Sequence, residues 1–324
     1  MGLNMKNSMS KTSILAVTAG AAASVGAGAA LADSSMIPVH DDSFYLSLEG
    51  GALFADPAVD KLGSFSGSGF TVDADSPDTS LGYRGAAAFG QQLGSGWDWR
   101  VGVAYSNFLK DRSSLLIISS GGSGSGLSGS TAADLSYLTG DLELGLNIDP
   151  GSAFDLRLFA GLRALNSKDS LDKFGIEASG GYVASGVTSD HREFLGIGPR
   201  AGFDFSTRMG DGMLGLSGMA AGSVIFGRLD QEENVLVAVI DGASGGAITF
   251  TDSDTGSETL YNLEAALGLD LHVTERSTLT IGYRGEYWDN IRGEDKTGAD
   301  DPDDFNYDGD LLSHGPFAKF KVNF

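Results

Sequence analysis

The sequence predicts an all-β protein: a transmembrane antiparallel up-and-down β-barrel of about ten strands, with short turns at one end and long loops at the other. Three observations predict this fold class. Apolar and polar residues alternate with a period of two in ten separate segments. Short turns and long loops connect these segments in strict alternation. The chain also begins with an export-like segment and ends in an alternating segment whose last residue is Phe324.

The alternation is plainest in two neighbouring runs, 138–148 and 154–164. In the first run leucines dominate one parity, while Asp141 and Glu143 take the other. A helix would mix these carboxylates with the leucines, so the period of two indicates β-strands. Asp149-Pro150-Gly151 between the runs is typical of a tight turn. A run of about 11 residues, tilted by about 40°, is long enough to cross the ~25 Å apolar band of a membrane barrel.

A soluble β-sandwich also alternates apolar with polar residues and is the alternative fold to exclude. Greek-key sandwiches give no reason for alternating short and long connections, whereas outer-membrane barrels have short periplasmic turns and long outer loops. The sequence therefore favours the barrel. The predicted strands are 44–54, 81–89, 97–105, 138–148, 154–164, 195–205, 214–226, 263–273, 279–287 and 316–324, and the predicted long loops are 56–79, 109–132, 166–193, 228–258 and 289–311.

The start of the chain has the pattern of a secretory signal peptide. Lys6 and Lys11 give a positive start, an Ala- and Gly-rich apolar run follows, and Ala30-Leu31-Ala32 forms a cleavage motif. We expect cleavage after the last residue of this motif. The predicted domains are a signal peptide over 1–32, a lead over 33–42 and a barrel over 43–324. Together with the barrel pattern, the signal predicts a location in the bacterial outer membrane.

The composition excludes several classes of protein. The chain has 48 glycines, 7 prolines and no cysteine, which leaves out disulfide scaffolds and thiolate metal sites. Its formal net charge of −22 becomes −24 when Lys6 and Lys11 are removed with the signal peptide. Nucleic acid is therefore not expected as a partner.

The charged parity of a membrane barrel faces its interior, the lumen. Ten strands enclose little more than the filled interior of an eight-stranded barrel, so these charges must lie within reach of one another. Guanidinium groups favour carboxylate partners, and an isolated charge there would be costly. We therefore expect an ion-pair ladder that either plugs the barrel or leaves a narrow polar path. Its predicted members are Arg84, Arg100, Arg157, Arg163, Arg200, Arg284, Glu49, Asp98, Asp141, Glu143, Asp155, Asp204, Glu264, Asp270 and Glu286, and Lys319 and Lys321 share their parity.

The predicted long loops together carry a net charge of −18. An anionic mouth concentrates cations, so a pore in this barrel would have a mild cation preference. Asp304, Asn306 and Asp308 match the first half of a calcium-binding loop, but the position that requires a glutamate is Gly315. The sequence leaves open a loop-bound divalent cation, with a solvated acidic loop as the alternative, and predicts no other cofactor.

The histidines raise the question of whether the protein is an enzyme. His191 follows Asp190 and His314 follows Ser313, both near the predicted outer rim. Neighbours on a strand point to opposite faces, so neither pair is a ready-made catalytic dyad. The sequence predicts no enzyme; the alternative is a rim protease assembled from residues on different strands.

The segment Gly196-Ile197-Gly198-Pro199-Arg200-Ala201 fits a dinucleotide-binding pattern, but no βαβ unit surrounds it. It falls in a predicted strand, where proline cannot donate a ladder hydrogen bond. We therefore expect a local bulge or a missing bond at Pro199. The glycines beside Arg200 are interpreted as making room in the lumen.

Four segments carry a resemblance to a known family. They are Leu158-Phe159-Ala160-Gly161-Leu162-Arg163, the segment 196–202, Gly282-Tyr283-Arg284-Gly285-Glu286-Tyr287-Trp288 and the terminal segment 314–324. They resemble the Legionella major outer membrane protein family, which is described as pore-forming. Family members whose subunits are cross-linked by cysteines are not matched, since this chain has no cysteine. The last strand, with Phe320, Val322 and Phe324, is also similar to the signal that the outer-membrane assembly machinery reads.

The prediction for function is a porin-like outer-membrane channel for passive diffusion of small solutes. Its outer loops would be anionic, and arginines and carboxylates would line its lumen. The alternative is a plugged structural or adhesin-like barrel without a conducting pore. Expected partners are outer-membrane lipid, lipopolysaccharide and the assembly machinery. The solute and the oligomeric state are left open. So is the fold of 228–258, which either turns inward to constrict the mouth or forms an extra hairpin of Val235 to Ile240 with Ala247 to Thr251.

Overall fold

The computed structural model describes residues 43–55, 61–67, 70–75, 80–118, 126–151, 154–179, 182–209, 213–241, 244–291 and 309–324. The predicted signal peptide and the whole of the predicted lead lie outside these residues. Nearly all of the described residues are in β-strands. The strands are β1 (Phe44–Ala55), β2 (Lys61–Gly67), β3 (Phe70–Asp75), β4 (Ser80–Gln92), β5 (Trp97–Ile118), β6 (Gly126–Gly151), β7 (Phe154–Ser179), β8 (Tyr182–Met209), β9 (Leu214–Asp241), β10 (Ser244–Thr274), β11 (Ser277–Asp289) and β12 (Leu311–Asn323).

Ten of the described strands form one closed antiparallel barrel. Its order is β1-β12-β11-β10-β9-β8-β7-β6-β5-β4, and β1 closes the ring by pairing with both β12 and β4. β2 and β3 form a separate two-stranded sheet within the first predicted long loop. The predicted ten-stranded barrel is confirmed, and the two-layer sandwich is excluded.

The two parities of each strand face opposite sides of the barrel wall. On β6, Leu142 and Leu144 are 52% and 58% exposed on the outer surface, whereas Glu143 between them is 1% exposed inside. Leu195 on β8 and Ile281 on β11 are each 62% exposed. A belt of exposed aliphatic side chains of this extent marks the surface that contacts lipid. Among the described residues there is no helix with the length and hydropathy to span a bilayer.

The loops predicted at 109–132, 166–193 and 228–258 are wrong. β5 to β10 run through most of these segments and pair with one another along them. β10 alone has 31 residues, which at about 3.4 Å per residue is roughly 105 Å. Only about 11 residues are needed to cross the apolar band, so the remainder of each long strand lies beyond the membrane.

These extensions form a six-stranded sheet beyond the closed barrel, made of the outer parts of β5 to β10; we name it the outer wall. β4 begins at Ser80 and pairs with β5 no further than Phe108. β11 ends at Asp289, opposite Tyr261 of β10. Within the described residues the outer wall is therefore an open sheet, with β5 at one edge and β10 at the other.

Pro199 interrupts one ladder without shifting it. Between β8 and β9, Ile197 pairs with Phe226 and Arg200 pairs with Ser223, while the two positions between them form no pair in the described ladder. The register is the same on both sides of this gap. The missing bond predicted at Pro199 is thus confirmed, and the bulge is wrong.

The short turn predicted between β4 and β5 is one turn of 3₁₀-helix over Gly94–Gly96. Ser95 and Gly96 have φ values of 66° and 80°. Glycine adopts this left-handed region without steric penalty, which suits Gly96 to the turn. The Leu93 N–H donates to the carbonyl of Trp97 at 2.7 Å and so ties the two strands together.

Candidate functional site

The charged residues of the lumen form one connected network of ion pairs and hydrogen bonds, here called the lumen network. All six predicted arginines and seven of the predicted carboxylates belong to it. Glu143 on β6 is one of its centres. Its carboxylate lies 2.7 Å from Arg100, 3.2 Å from Arg157 and 3.1 Å from Arg200. One carboxylate thus joins three guanidinium groups that come from three different strands.

Arg157 on β7 extends the lumen network toward the short turns. Its guanidinium pairs with Asp98 at 2.7 Å and with Asp204 at 2.8 Å. Arg100 also reaches Asp204, at 3.4 Å. Each of these arginines therefore contacts more than one carboxylate, which is the arrangement that offsets the cost of burying charge.

Glu264 on β10 extends the lumen network in another direction. It pairs with Arg163 at 3.0 Å and with Arg200. Arg163 in turn makes a two-pronged contact with Asp141, with N···O distances of 2.7 and 2.8 Å. The strands β6, β7, β8 and β10 are thus tied together across the lumen.

A second group of charges lies around Glu49 on β1. Arg284 pairs with Glu49 at 2.8 Å. Arg84 lies 3.7 Å from Glu49 and 3.6 Å from Glu286. These residues belong to β1, β4 and β11, so the second group covers the part of the lumen that the first does not.

Asn262 on β10 links the two groups. Its Oδ1 accepts a hydrogen bond from Arg163 at 2.7 Å, and its Nδ2 donates to Glu286 at 3.3 Å. Its side chain is 1% exposed. Because the sequence prediction of the site selected charged residues, it left out this uncharged bridge.

Phe159 on β7 is an aromatic residue within the charged parity. Its ring faces the guanidinium carbons of Arg157, Arg100 and Arg200 at 5.0, 5.4 and 5.5 Å from the ring centroid. Such contacts are attractive between a cation and an aromatic face. A Cβ at Gly202 would lie 2.7 Å from the Phe159 ring, so this glycine makes room for the ring.

Asp155 and Asp270, the other two predicted carboxylates, lie toward the short turns. Asp155 is exposed and accepts a hydrogen bond from the Ser206 hydroxyl at 3.5 Å. Asp270 is buried and accepts from Ser217 at 2.9 Å and from Thr280 at 2.6 Å. Hydroxyl donors thus bind these two carboxylates.

The two lysines of β12 also face inward. Lys319 is in register with Glu49 of β1. The Nζ of Lys321 lies 4.6 Å from the centroid of the Tyr45 ring. They place positive charge near the turn-side end of the lumen.

On the outer side of the lumen network the inward residues become apolar and form a cluster across the barrel, the apolar layer. Its members come from nine of the ten barrel strands. Ile225, Trp288 and Leu311 are each 0% exposed. The apolar layer contains Leu53, Phe108, Leu135, Tyr137, Leu165, Phe194, Ile225, Leu260, Trp288 and Leu311.

Two aromatic residues join the apolar layer to the lumen network. The Tyr137 hydroxyl donates to Glu286 at 2.9 Å, and the Trp288 indole N–H donates to the same carboxylate at 3.0 Å. Their rings pack edge to face with centroids 5.6 Å apart. The sequence analysis missed the apolar layer. Its signal is the change of the inward parity from charged to apolar near the outer ends of the predicted strands, as at Leu53 and Leu165.

The side chains of both sets are tightly packed in the described lumen. Arg163 and Glu143 are each 1% exposed, and Arg200 is 3% exposed. Side chains buried to this degree leave no room for bulk water beside them. The charged residues predicted from sequence are therefore largely buried against one another, and the apolar layer lies on the outer side of the network they form.

The acidic and histidine residues of the rim do not form dyads with their sequence neighbours. Asp190 pairs with Arg192 at 3.0 Å, while His191 is exposed and its Nδ1 lies 3.1 Å from the Asp190 carbonyl oxygen. The Nδ1 of His314 lies 2.6 Å from the Tyr283 hydroxyl. These contacts agree with the predicted alternation of side chains.

The outer parts of β9 and β10 make the outer wall strongly acidic. Residues 228–258 carry a net charge of −6. Hydrogen bonds from Thr255, at 2.9 Å, and Arg228, at 2.8 Å, lower the pKa of Asp230. This carboxylate is therefore ionised at neutral pH.

The divalent-cation prediction falls on Asp304, Asn306 and Asp308, which lie outside the described residues. In the part of the chain that the structure describes, no three histidine, aspartate or glutamate side chains are grouped to hold a metal ion.

Residues 38–324 match the model of one protein family, described as the Legionella pneumophila major outer membrane protein precursor. No curated protein matches the sequence.

Solved structures of outer-membrane barrels are similar at low identity. The outer membrane protease OmpT from Escherichia coli is 12% identical with a TM-score of 0.42, over 90% of this chain and 99% of that chain. Neisserial surface protein A is 13% identical with a TM-score of 0.26, over 87% and 97%. A Pseudomonas aeruginosa FadL homologue is 7% identical with a TM-score of 0.27, over 88% and 90%. With TM-scores below 0.5, these likenesses carry no argument about what this chain does.

Proposed function

The chain belongs to the Legionella pneumophila major outer membrane protein family and is an outer-membrane β-barrel. From this we propose that it is a closed barrel with a structural or surface-interaction role. In this proposal the membrane part is an anchor that does not conduct. The outer wall is the part that meets partners outside the cell.

The observation that carries the proposal is the burial of the inward side chains in two successive sets, the lumen network and the apolar layer. The lumen network holds guanidinium and carboxylate groups together in the middle of the barrel, with Arg163 and Glu143 almost inaccessible. The apolar layer on its outer side contains Trp288 and Ile225, which have no exposed surface. An ion crossing this barrel would have to break buried ion pairs and then pass an apolar layer, and each of these steps is costly.

The test is conductance of the refolded protein in planar lipid bilayers. We expect no steady openings from the wild type. Trp288→Ala combined with Glu143→Ala removes the largest side chain of the apolar layer and the carboxylate that three arginines of the lumen network share, so this double variant should produce openings. The matched control is Trp97→Ala, which removes a tryptophan that is 48% exposed on the outer surface and should stay silent. Regular single-channel openings of the wild type would overturn the proposal.

A channel for small solutes is the second candidate, and one observation favours it. The closure in the described residues is made by side chains, which can rotate, and the Arg100 and Asp204 side chains at its turn-side end are 23% and 26% exposed. If the wild type does conduct, the acidic outer wall should favour cations. Chloride more permeant than potassium would contradict that cation preference.

Export, assembly and lipid contact complete the proposal. The segment 1–32 would direct secretion and be cleaved. Phe320 and Phe324 are 43% and 65% exposed on the last strand, which supports recognition of that strand, with Val322, by the assembly machinery. The exposed aliphatic belt would contact outer-membrane lipid and lipopolysaccharide.

A further inference from the structure

Among the residues that the structure describes, the outer part of β10 is an exposed strand edge. Ser244 to Leu260 pair with β9 on one side. On the other side the described ladder to β11 begins only at Tyr261. Residues 244–257 are all exposed. A strand with one unpaired edge can bind another extended chain through its main-chain groups.

The direction of those main-chain groups follows from two observations. The His272 N–H donates to the Met213 carbonyl at 2.9 Å, and the register between β9 and β10 is unbroken from this point to Ser244. The main-chain N–H and C=O groups of the even-numbered residues of β10 therefore point to β9, and those of the odd-numbered residues point to the open edge. In agreement, the Ser253 and Thr255 N–H groups donate to the aspartates that precede them, at 2.9 and 2.8 Å.

The outermost part of this edge lacks the usual protection. Between Ser244 and Leu260 there is no proline and no lysine, the residues that commonly block edge pairing. Ala247 to Thr251 contains no charge at all, and Ile248 and Phe250 are 60% and 59% exposed. These two side chains lie beside Val237 and Val235 of β9. The result is an apolar strip next to open hydrogen-bonding groups.

The negative charge around the apolar strip determines which kind of partner can bind there. Asp252, Asp254 and Glu258 follow it along β10 and lie on the same face as Phe250, and residues 228–258 carry a net charge of −6. A second copy of this chain would bring an equal negative charge to the edge and be repelled. An extended peptide would satisfy the main chain, the strip and the carboxylates together if the residues on one of its faces are apolar in one half of its length and basic in the other half.

We propose that the open edge of β10 in the outer wall binds cationic, apolar extended peptides by strand addition. The proposal rests on the surface-interaction role proposed above. The peptide would pair with Ala247 to Thr251, place its apolar side chains on Ile248 and Phe250, and place a cation on Asp252 or Asp254.

The test measures binding of a labelled ten-residue peptide to the refolded full chain in detergent micelles, by fluorescence anisotropy. On one face the peptide carries valines in one half and lysines in the other half, and its other face carries only threonines. Thr249→Pro removes an edge-facing N–H while leaving the β9 ladder intact, and should weaken binding about tenfold. Thr249→Val keeps that N–H and should bind like the wild type.

A second pair of variants tests the charge. Asp252→Asn with Asp254→Asn should weaken binding roughly three- to tenfold and reduce its salt dependence. The control is Asp230→Asn with Glu232→Gln. It removes the same amount of charge from β9, but from the opposite face of the outer wall, and should have little effect on peptide binding. Circular dichroism checks that every variant folds.

Three results would overturn the proposal. They are equal binding of a peptide with glutamate in place of lysine, equal binding by Thr249→Pro, and self-association of the chain that Thr249→Pro abolishes. Failure of the peptide proposal is distinct from failure of the closed-barrel proposal, which the bilayer recordings test. A conducting barrel could still bind the peptide, and a barrel without conductance could fail to bind it.

Discussion

At the scale of single residues, the lumen shows what a buried charge requires. Glu264 is 3% exposed and is shared by Arg163 and Arg200. Removing an ion from water costs several kcal/mol, and only close opposite charges and hydrogen bonds offset that cost. The carboxylates of the lumen should therefore matter far more to stability than those of the outer wall.

Glu264→Gln tests this difference. It leaves two buried guanidinium groups with less compensating charge, so we expect a loss of about 3–5 kcal/mol in the free energy of unfolding. The measurement is reversible denaturant unfolding in detergent or lipid, followed by circular dichroism.

The control for that substitution is Glu193→Gln. Glu193 is 51% exposed and pairs with Lys168 at 3.1 Å. An exposed ion pair contributes about 0–1 kcal/mol. Equal losses in the two variants would contradict the assignment of Glu264 to a dry, charge-dense lumen.

Residue parity predicts which side chains face the lumen, but it does not predict which uncharged side chains support the ion pairs there. The alternation along β7 places Arg157 and Arg163 in the lumen, and the structure finds both there. Phe159 has the same parity and lies between them in sequence, yet it was not predicted as a site residue because its side chain is uncharged. Asn262 was missed for the same reason. Selection by formal charge finds the ends of ion pairs and overlooks the groups that hold them in place.

At the scale of elements, the strands are predicted well only where they cross the membrane. Inside the bilayer one face meets lipid and the other meets the lumen, so the sequence must alternate. In the outer wall both faces can meet water, and the constraint on alternation then disappears. The stretch Asp252 to Ser257 of β10, for example, contains no apolar side chain and is exposed at every position. The hydrogen-bonded ladder continues there without a hydrophobic signature. This is why β5 to β10 were predicted too short.

Leu142→Lys and Leu236→Lys measure where the membrane ends. Leu142, on β6, is 52% exposed within the predicted apolar belt, and Leu236, on β9, is 41% exposed on the outer wall. A lysine near the bilayer midplane costs about 2–4 kcal/mol, so Leu142→Lys should destabilise the folded protein in lipid by that amount. Leu236→Lys should change the free energy of unfolding by less than about 0.5 kcal/mol. Similar costs at both sites would show that the outer wall lies in the bilayer.

At the scale of the whole molecule, connection lengths predicted the architecture, but they could not predict whether the lumen is open. Alternating short and long connections are enough to order ten antiparallel strands into a barrel. Closure depends on which inward side chains meet across the lumen, and that depends on the stagger between distant strands. The meeting of Tyr137 and Trp288 at Glu286 is such a contact. No pattern within one strand indicates it.

The most direct test of the closed lumen uses the absence of cysteine from the chain. Ser106 on β5 faces the lumen and is 0% exposed, and Ser106→Cys is nearly isosteric. In liposomes, a charged, water-soluble maleimide should leave the S106C thiol unmodified until the protein is denatured. The control is Ser253→Cys on the exposed edge of β10, whose thiol should react at once. Rapid modification of S106C in the folded protein would show that water reaches the middle of the barrel and would contradict the account.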